Sequence, residues 1–283
     1  LGEGVFRVPR PSPREQRRDR SSMTAQTPAA RALPGMPPTA DTAEGPQSFR
    51  ADYSVSILGL NIARSSFEST IGPRAFSVSG TMASSGIARI FDQTEGTAQV
   101  RGNFVDGGAQ GNRFLLDYVS GNKKKRTEVA FSRGTVTRAE NTPTRKPDPK
   151  AWVPVKKEDL RSVSDPLSAS LVKATSLRDV CNRTIRVFDG EMRMDLQLSY
   201  VRVAPAQTRG FSGDAVTCRA RFVPIGGYKG GHRSIEFLKN RSKILISFAP
   251  LGTTGVYAPI KVSATTEIGT VVVNARRFES ISQ

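Results

Sequence analysis

From Phe49 onward the chain alternates apolar and polar side chains in short runs separated by turn residues, and this pattern limits its folds more than any other feature. In Phe49-Arg50-Ala51-Asp52-Tyr53-Ser54-Val55-Ser56-Ile57-Leu58, the side chains of Phe49, Ala51, Tyr53, Val55 and Ile57 share one face. A period of two is the repeat of a half-buried strand. The turn Gly59-Leu60-Asn61 predicts a return strand over 62–69, and Gly72-Pro73 a third over 75–83. Further strands are expected over 92–105, 112–120, 124–131 and 135–140. In the last third they are expected over 183–188, 193–203, 215–223, 243–249, 256–266 and 270–278.

The connections are tight. Ser120-Gly121-Asn122, Ser132-Arg133-Gly134, Asp189-Gly190 and Ile268-Gly269 all carry hairpin chemistry. Helical signals are few: a short helix over 84–91 capped by Ser84 or Ser85, another over 232–240, and a third beginning at Ser164-Asp165-Pro166. The last has a capping residue, Pro in the first turn, and Leu167, Leu171 and Ala174 at helical spacing, so it is expected to run to Ala174. Hairpins throughout and no strand–helix–strand units imply antiparallel pairing. A sheet this long must manage its edges. The expected fold is therefore mainly β: a large antiparallel, curled or partly closed β-barrel with two or three short helices. Such a barrel can hold an apolar ligand.

Residues 1–48 differ. They are rich in Pro, Arg, Ser, Ala and Thr without apolar periodicity, and they read as a disordered arm ahead of a single domain, 49–283. They contain no apolar h-region of a secretory signal, so for an exported chain that segment has been cleaved or is left out of this sequence. The arm carries seven Arg, no Lys and five acids, so +15 of the formal net charge of +17 belongs to the body. The densest block is Lys123-Lys124-Lys125-Arg126, with Arg145, Lys146, Lys150, Lys156 and Lys157 in the following loop. It reads either as a solvated hairpin or as a contact for an anionic surface. Aromatic residues do not interleave with it, which argues against single-stranded nucleic acid. No apolar run reaches the ~18–20 residues of a membrane helix.

One His and two Cys leave no ligand set for multi-His zinc or four-thiolate sites, and no cofactor is expected. Cys181 and Cys218 are not in a redox spacing; they are either two buried thiols or a disulfide between neighbouring strands. The even count in a strand-rich domain favours the disulfide. Gly226-Gly227-Tyr228-Lys229-Gly230-Gly231-His232 lacks the spacing of a phosphate-binding loop and is read as a mobile loop over a barrel mouth. Asp165 and Asp189 are read as a cap and a turn residue, and Asp52 with Glu68 as a cross-hairpin surface pair. No catalytic residue is assigned.

The body, about 49–280, resembles an uncharacterised family of Gram-negative envelope proteins, a domain of unknown function. The resemblance rests on Tyr53-Ser54-Val55-Ser56-Ile57-Leu58-Gly59-Leu60, Asp165-Pro166-Leu167-Ser168 and Val187-Phe188-Asp189-Gly190, and on the run from Cys218 to Tyr228. It implies export to the periplasm and a sheet that looks like those of lipoprotein carriers and β-spiral envelope-integrity proteins. The expected function is a non-catalytic periplasmic protein that supports the envelope and binds a lipid-like or protein ligand in a concave face. Its partners would be lipid, lipopolysaccharide or an envelope protein. The alternatives are a basic nucleic-acid-binding protein and a hydrolase of unknown type, with His232 the sole histidine available to the latter.

Overall fold

The computed structural model describes residues 45–86, 93–105, 108–144 and 151–281. The arm up to residue 44, the helix expected over 84–91 from residue 87 onward, and Arg145, Lys146 and Lys150 lie outside the described residues.

A meander of seven long strands comes first: β1 (Gln47–Ile57), β2 (Leu60–Ile71), β3 (Ala75–Ser84), β4 (Thr94–Val105), β5 (Gly108–Ser120), β6 (Lys123–Ser132) and β7 (Thr135–Thr142). A connecting stretch holds β8 (Trp152–Val153), the one-turn helix α1 (Pro166–Ala169) and β9 (Val172–Lys173). The remainder is β10 (Arg183–Phe188), β11 (Arg193–Thr208), β12 (Phe211–Gly226), β13 (Tyr228–Lys229), α2 (Arg233–Asn240), β14 (Ile244–Pro250), β15 (Val256–Thr266) and β16 (Gly269–Ile281). All long strands form one 14-stranded sheet in the order β10-β11-β12-β14-β15-β16-β1-β2-β3-β4-β5-β6-β7, with β9 added against β15. Every named pairing is antiparallel. The fold is thus mainly β, antiparallel, with two short α-helices among the described residues.

The ladder is not closed, since β7 and β10 are its free edges. The stretch before α1 fills the seam between them. The Val163 amide donates to Gly134 O at the β6–β7 turn (2.9 Å), and Ser164 Oγ donates to Ala109 O on β5 (2.8 Å). On the other side the Ser164 amide donates to Arg186 O and the Phe188 amide to Ser164 O, both at 2.9 Å on β10. The Asn141 side-chain amide donates to Gly190 O (2.8 Å), and Lys125 pairs with Glu191 at 2.8 Å. Backbone groups that a closed barrel would pair in a ladder are here satisfied by this inserted segment.

Asp165 caps α1, accepting from the amides of Leu167 and Ser168 (both 3.0 Å) and from Ser168 Oγ (2.5 Å). It is fully buried. Glycine makes room for it: a Cβ on Gly111 of β5 would stand 2.3 Å from Asp165 Oδ2. Contrary to the expectation from helical spacing, α1 ends at Ala169. Leu171 and Val172 are buried, and Val172–Lys173 pair with β15 instead. Strand pairing plus burial outweighs the propensity of a further turn.

The core has two parts. One lies on the inner face of β1–β6 against α1, β15 and β16, and contains Phe49, Phe76, Val100, Phe114, Val129 and Phe278. The other lies between β11, β12, β14 and the 3-10 turn Leu177–Val180, and contains Val180, Cys181, Val216, Cys218, Ile246 and Phe248. Cys181 and Cys218 form a disulfide in this second core.

Candidate functional site

The alternation of β1 and β2 gives the sheet two chemically different faces. Phe49, Ala51, Tyr53 and Val55 point inward, opposite Ser69, Phe67, Ser65 and Ala63 of β2. On β3, Gly80 faces Phe67, and a Cβ there would overlap the ring, so glycine lets the aromatic side chain lie flat against the strand. A cavity of about 350 Å³ lies beside the first core. Its walls come from β1–β3, from Pro166, Leu167 and Leu171 around α1, and from Ala258, Val262, Val273 and Phe278 on β15 and β16.

Among the described residues, no charged side chain lines this cavity. Its polar groups are neutral hydroxyls, those of Ser65, Ser69, Ser170 and Tyr53. Tyr53 Oη donates to Pro259 O at 2.7 Å, so even that hydroxyl is satisfied across the cavity wall. Burial pushes the phenol well above its ordinary pKa, and it stays neutral. Its ring meets Phe67 edge to face at 6.0 Å between centroids. The volume is at the small end of ligand pockets, and the lining suits a hydrocarbon chain, with hydroxyls available to a neutral polar group.

Residues of β1–β6, including Arg50, Asp52, Arg64, Glu95, Asp117 and Lys124, also line a wider hollow of about 1190 Å³. Asp52 lies at its edge. Burial opposes its charge, but the Ser66 hydroxyl (2.5 Å), Arg50 (3.2 Å) and Arg277 (3.4 Å) outweigh that and hold the carboxyl below its usual value. The expected Asp52–Glu68 pair does not form. Register sets Asp52 opposite Ser66 and Glu68 opposite Arg50, which keeps like charges apart.

The four-residue basic block is divided by the same alternation. Lys125 faces inward to Glu191, and Arg126 faces outward to both oxygens of Asp117 (3.1 and 2.8 Å). Lys123 and Lys124 remain exposed at the hairpin tip. The glycine loop is pinned where a mobile loop is expected. The Gly227 amide donates to Val153 O (2.7 Å), Tyr228–Lys229 pair with Trp152–Val153, and a Cβ on Gly227 would stand 1.8 Å from Glu191 O. Gly230 donates to Ala151 O (2.6 Å), while Gly231 and His232 lie exposed at the start of α2. Asp189 is a turn residue: its Oδ1 accepts from the amides of Glu191 and Met192.

Sequence reasoning placed Phe49, Ala51, Tyr53 and Val55 on one face but did not assign the cavity they line. The pairing of β1 with β16, which brings Val273 and Phe278 opposite them, joins residues more than 200 positions apart and has no local signature.

The family model described as "Protein of unknown function (DUF3108)" matches residues 49–276. No curated protein matches the sequence. Among solved structures, the chain is similar to a beta-barrel-like protein of the domain of unknown function DUF1849 from Brucella abortus. The identity is 8%, over 84% of this chain and 98% of that one, with a TM-score of 0.47. It is also similar to the hypothetical protein CT021 from Chlamydia trachomatis, at 12% identity over 86% of this chain and 91% of that one, with a TM-score of 0.27.

Proposed function

The chain belongs to the DUF3108 family of proteins of unknown function, and from that premise we propose that it is a non-catalytic carrier or sensor of an amphiphile in an extracytoplasmic compartment. The observation that carries this reading is the uncharged cavity between β1–β3, α1 and β15–β16. This apolar cleft is only partly enclosed, and its lining forgoes dispersion contacts wherever no apolar group fills it. An acyl chain restores those contacts. The compartment is supported by the cystine, since such bonds persist where the environment is oxidising. No helix of the described residues is long and apolar enough to cross a membrane. We place the protein in the periplasm, with the region from residue 49 onward acting as one domain in support of the envelope.

The test is titration with a pyrene-labelled fatty acid. Saturable binding by the wild-type chain, lost in Ala51→Phe, which projects a ring into the cavity, supports the reading. Equal uptake by both proteins, or none by the wild type, refutes it.

A further inference from the structure

The end of the sheet that carries the β1–β2 turn also carries the β15–β16 turn, because Ile57 lies opposite Val271. The two hairpin tips are side by side, and the Leu58 side chain lies over Gly269. Three large apolar side chains project from these tips: Leu58 and Ile268 are each 75% exposed and Leu60 is 56% exposed. Among the described residues they are the three most exposed large hydrophobics.

Leu58 is costly for the fold in two ways. Its backbone has φ +50°, followed by Gly59 at φ +80°. Left-handed conformation at both central positions is the turn that Asn, Asp and Gly favour, and leucine is strained there. The side chain also faces water. Apart from its contact with Gly269, the side chain has strain and exposure that the fold itself does not use.

The same end bears positive charge at the β5–β6 tip. Strand register carries it from β2 to the β5–β6 tip through Ala63 opposite Ser84, Ala83 opposite Glu95, Thr94 opposite Ser120 and Ser120 opposite Lys123. Lys123 and Lys124 are exposed there, and among the described residues no ion pair involves them. We propose that this rim docks on the surface of a bilayer containing anionic phospholipid. Leu58, Leu60 and Ile268 enter the headgroup–acyl boundary, and Lys123 and Lys124 meet lipid phosphates. Protruding apolar tips flanked by lysines suit an interface that needs no matching shape. A protein partner would require a broad complementary surface instead. This surface lies at the strand ends and goes beyond the cavity reading, so each can fail alone.

The experiment is flotation of the full chain with phosphatidylcholine vesicles, with and without phosphatidylglycerol. The wild type floats with the phosphatidylglycerol vesicles. Leu58→Asn combined with Ile268→Asn lowers the bound fraction by about tenfold or more, through lost apolar transfer. Lys123→Gln with Lys124→Gln lowers it several-fold and blunts its salt dependence. Leu58→Asn alone keeps or raises the melting temperature, because Asn suits the turn, so lost flotation is not unfolding. Ala51→Phe floats normally, which separates this surface from the cavity. Failure of the wild type to float with anionic vesicles overturns the proposal, as does undiminished flotation of the Leu58/Ile268 variant.

Discussion

Removing the Cys181–Cys218 bridge should lower the melting temperature by about 8–15 °C while leaving the cavity able to bind. The bridge joins residues 37 apart, and its Cα atoms are 5.6 Å apart. A cross-link of that span removes about 3.8 kcal/mol of chain entropy from the unfolded state at 25 °C. For a folded body of this size each kcal/mol corresponds to roughly 2–4 °C, which gives the stated range. Position determines what loosens first. Cys181 follows the 3-10 turn that packs Val180 onto Val216, and all four side chains are almost fully buried in the second core. The cavity is lined mostly by the other core, with Val262, which also lines it, packed against the second. The assay compares wild type refolded with and without reductant, and the Cys181→Ala/Cys218→Ala double variant, by circular dichroism melting and fatty-acid titration. A shift under about 2 °C would refute the stabilising role assigned to the bridge. A cavity that stops binding while the fold persists would refute the independence of the two cores.

Three other outcomes are expected. Asp165→Ala removes the cap of α1 and the partner of the Ser168 hydroxyl inside the seam, and should cost about 2–4 kcal/mol by urea denaturation. Gly111→Ala sets a methyl against the same carboxylate and should be destabilising by about 1–3 kcal/mol, by the same measurement. Burial raises the Asp165 carboxyl despite its hydrogen bonds, so the folded state keeps its proton to higher pH than the unfolded state does. Stability should therefore fall as pH rises from the ordinary carboxylate value of about 4 to the raised folded value, and Asp165→Asn, still a good cap, should flatten that slope. Parallel pH profiles for wild type and Asp165→Asn would contradict this.

Local chemistry made the strands and their hairpins legible. Phe49–Ile57 alternates cleanly, and Asp189-Gly190 and Gly121-Asn122 turn where they should. Two elements escaped for local reasons. β11 runs to Thr208 and β12 begins at Phe211, past the expected ends at 203 and 215. Pro205 and the small polar residues around Gly213 carry no strand signal, yet Val203–Thr208 pair with Phe211–Val216. Around α1, Leu171 and Val172 fit a helical stripe equally well, and only the distant β15 decides their state. The candidate site was the least legible part. Tyr53 was visible as a core-facing residue, but the cavity also needs walls from α1, β15 and β16, which only the tertiary fold brings to it. The basic block misled in the same way: period two sends Lys125 inward and Arg126 outward, to partners that charge counting does not show.

Uptake of an amphiphile by the apolar cavity can be followed by methyl NMR of the full chain during fatty-acid titration. Methyls of Val55, Val78, Leu167, Leu171, Leu251, Val262 and Val273, which line the cavity, should shift together and saturate. Leu198, Val216 and Ile246 in the disulfide core should stay in place. Shifts confined to surface methyls, or shifts in the disulfide core without any in the cavity, would contradict it.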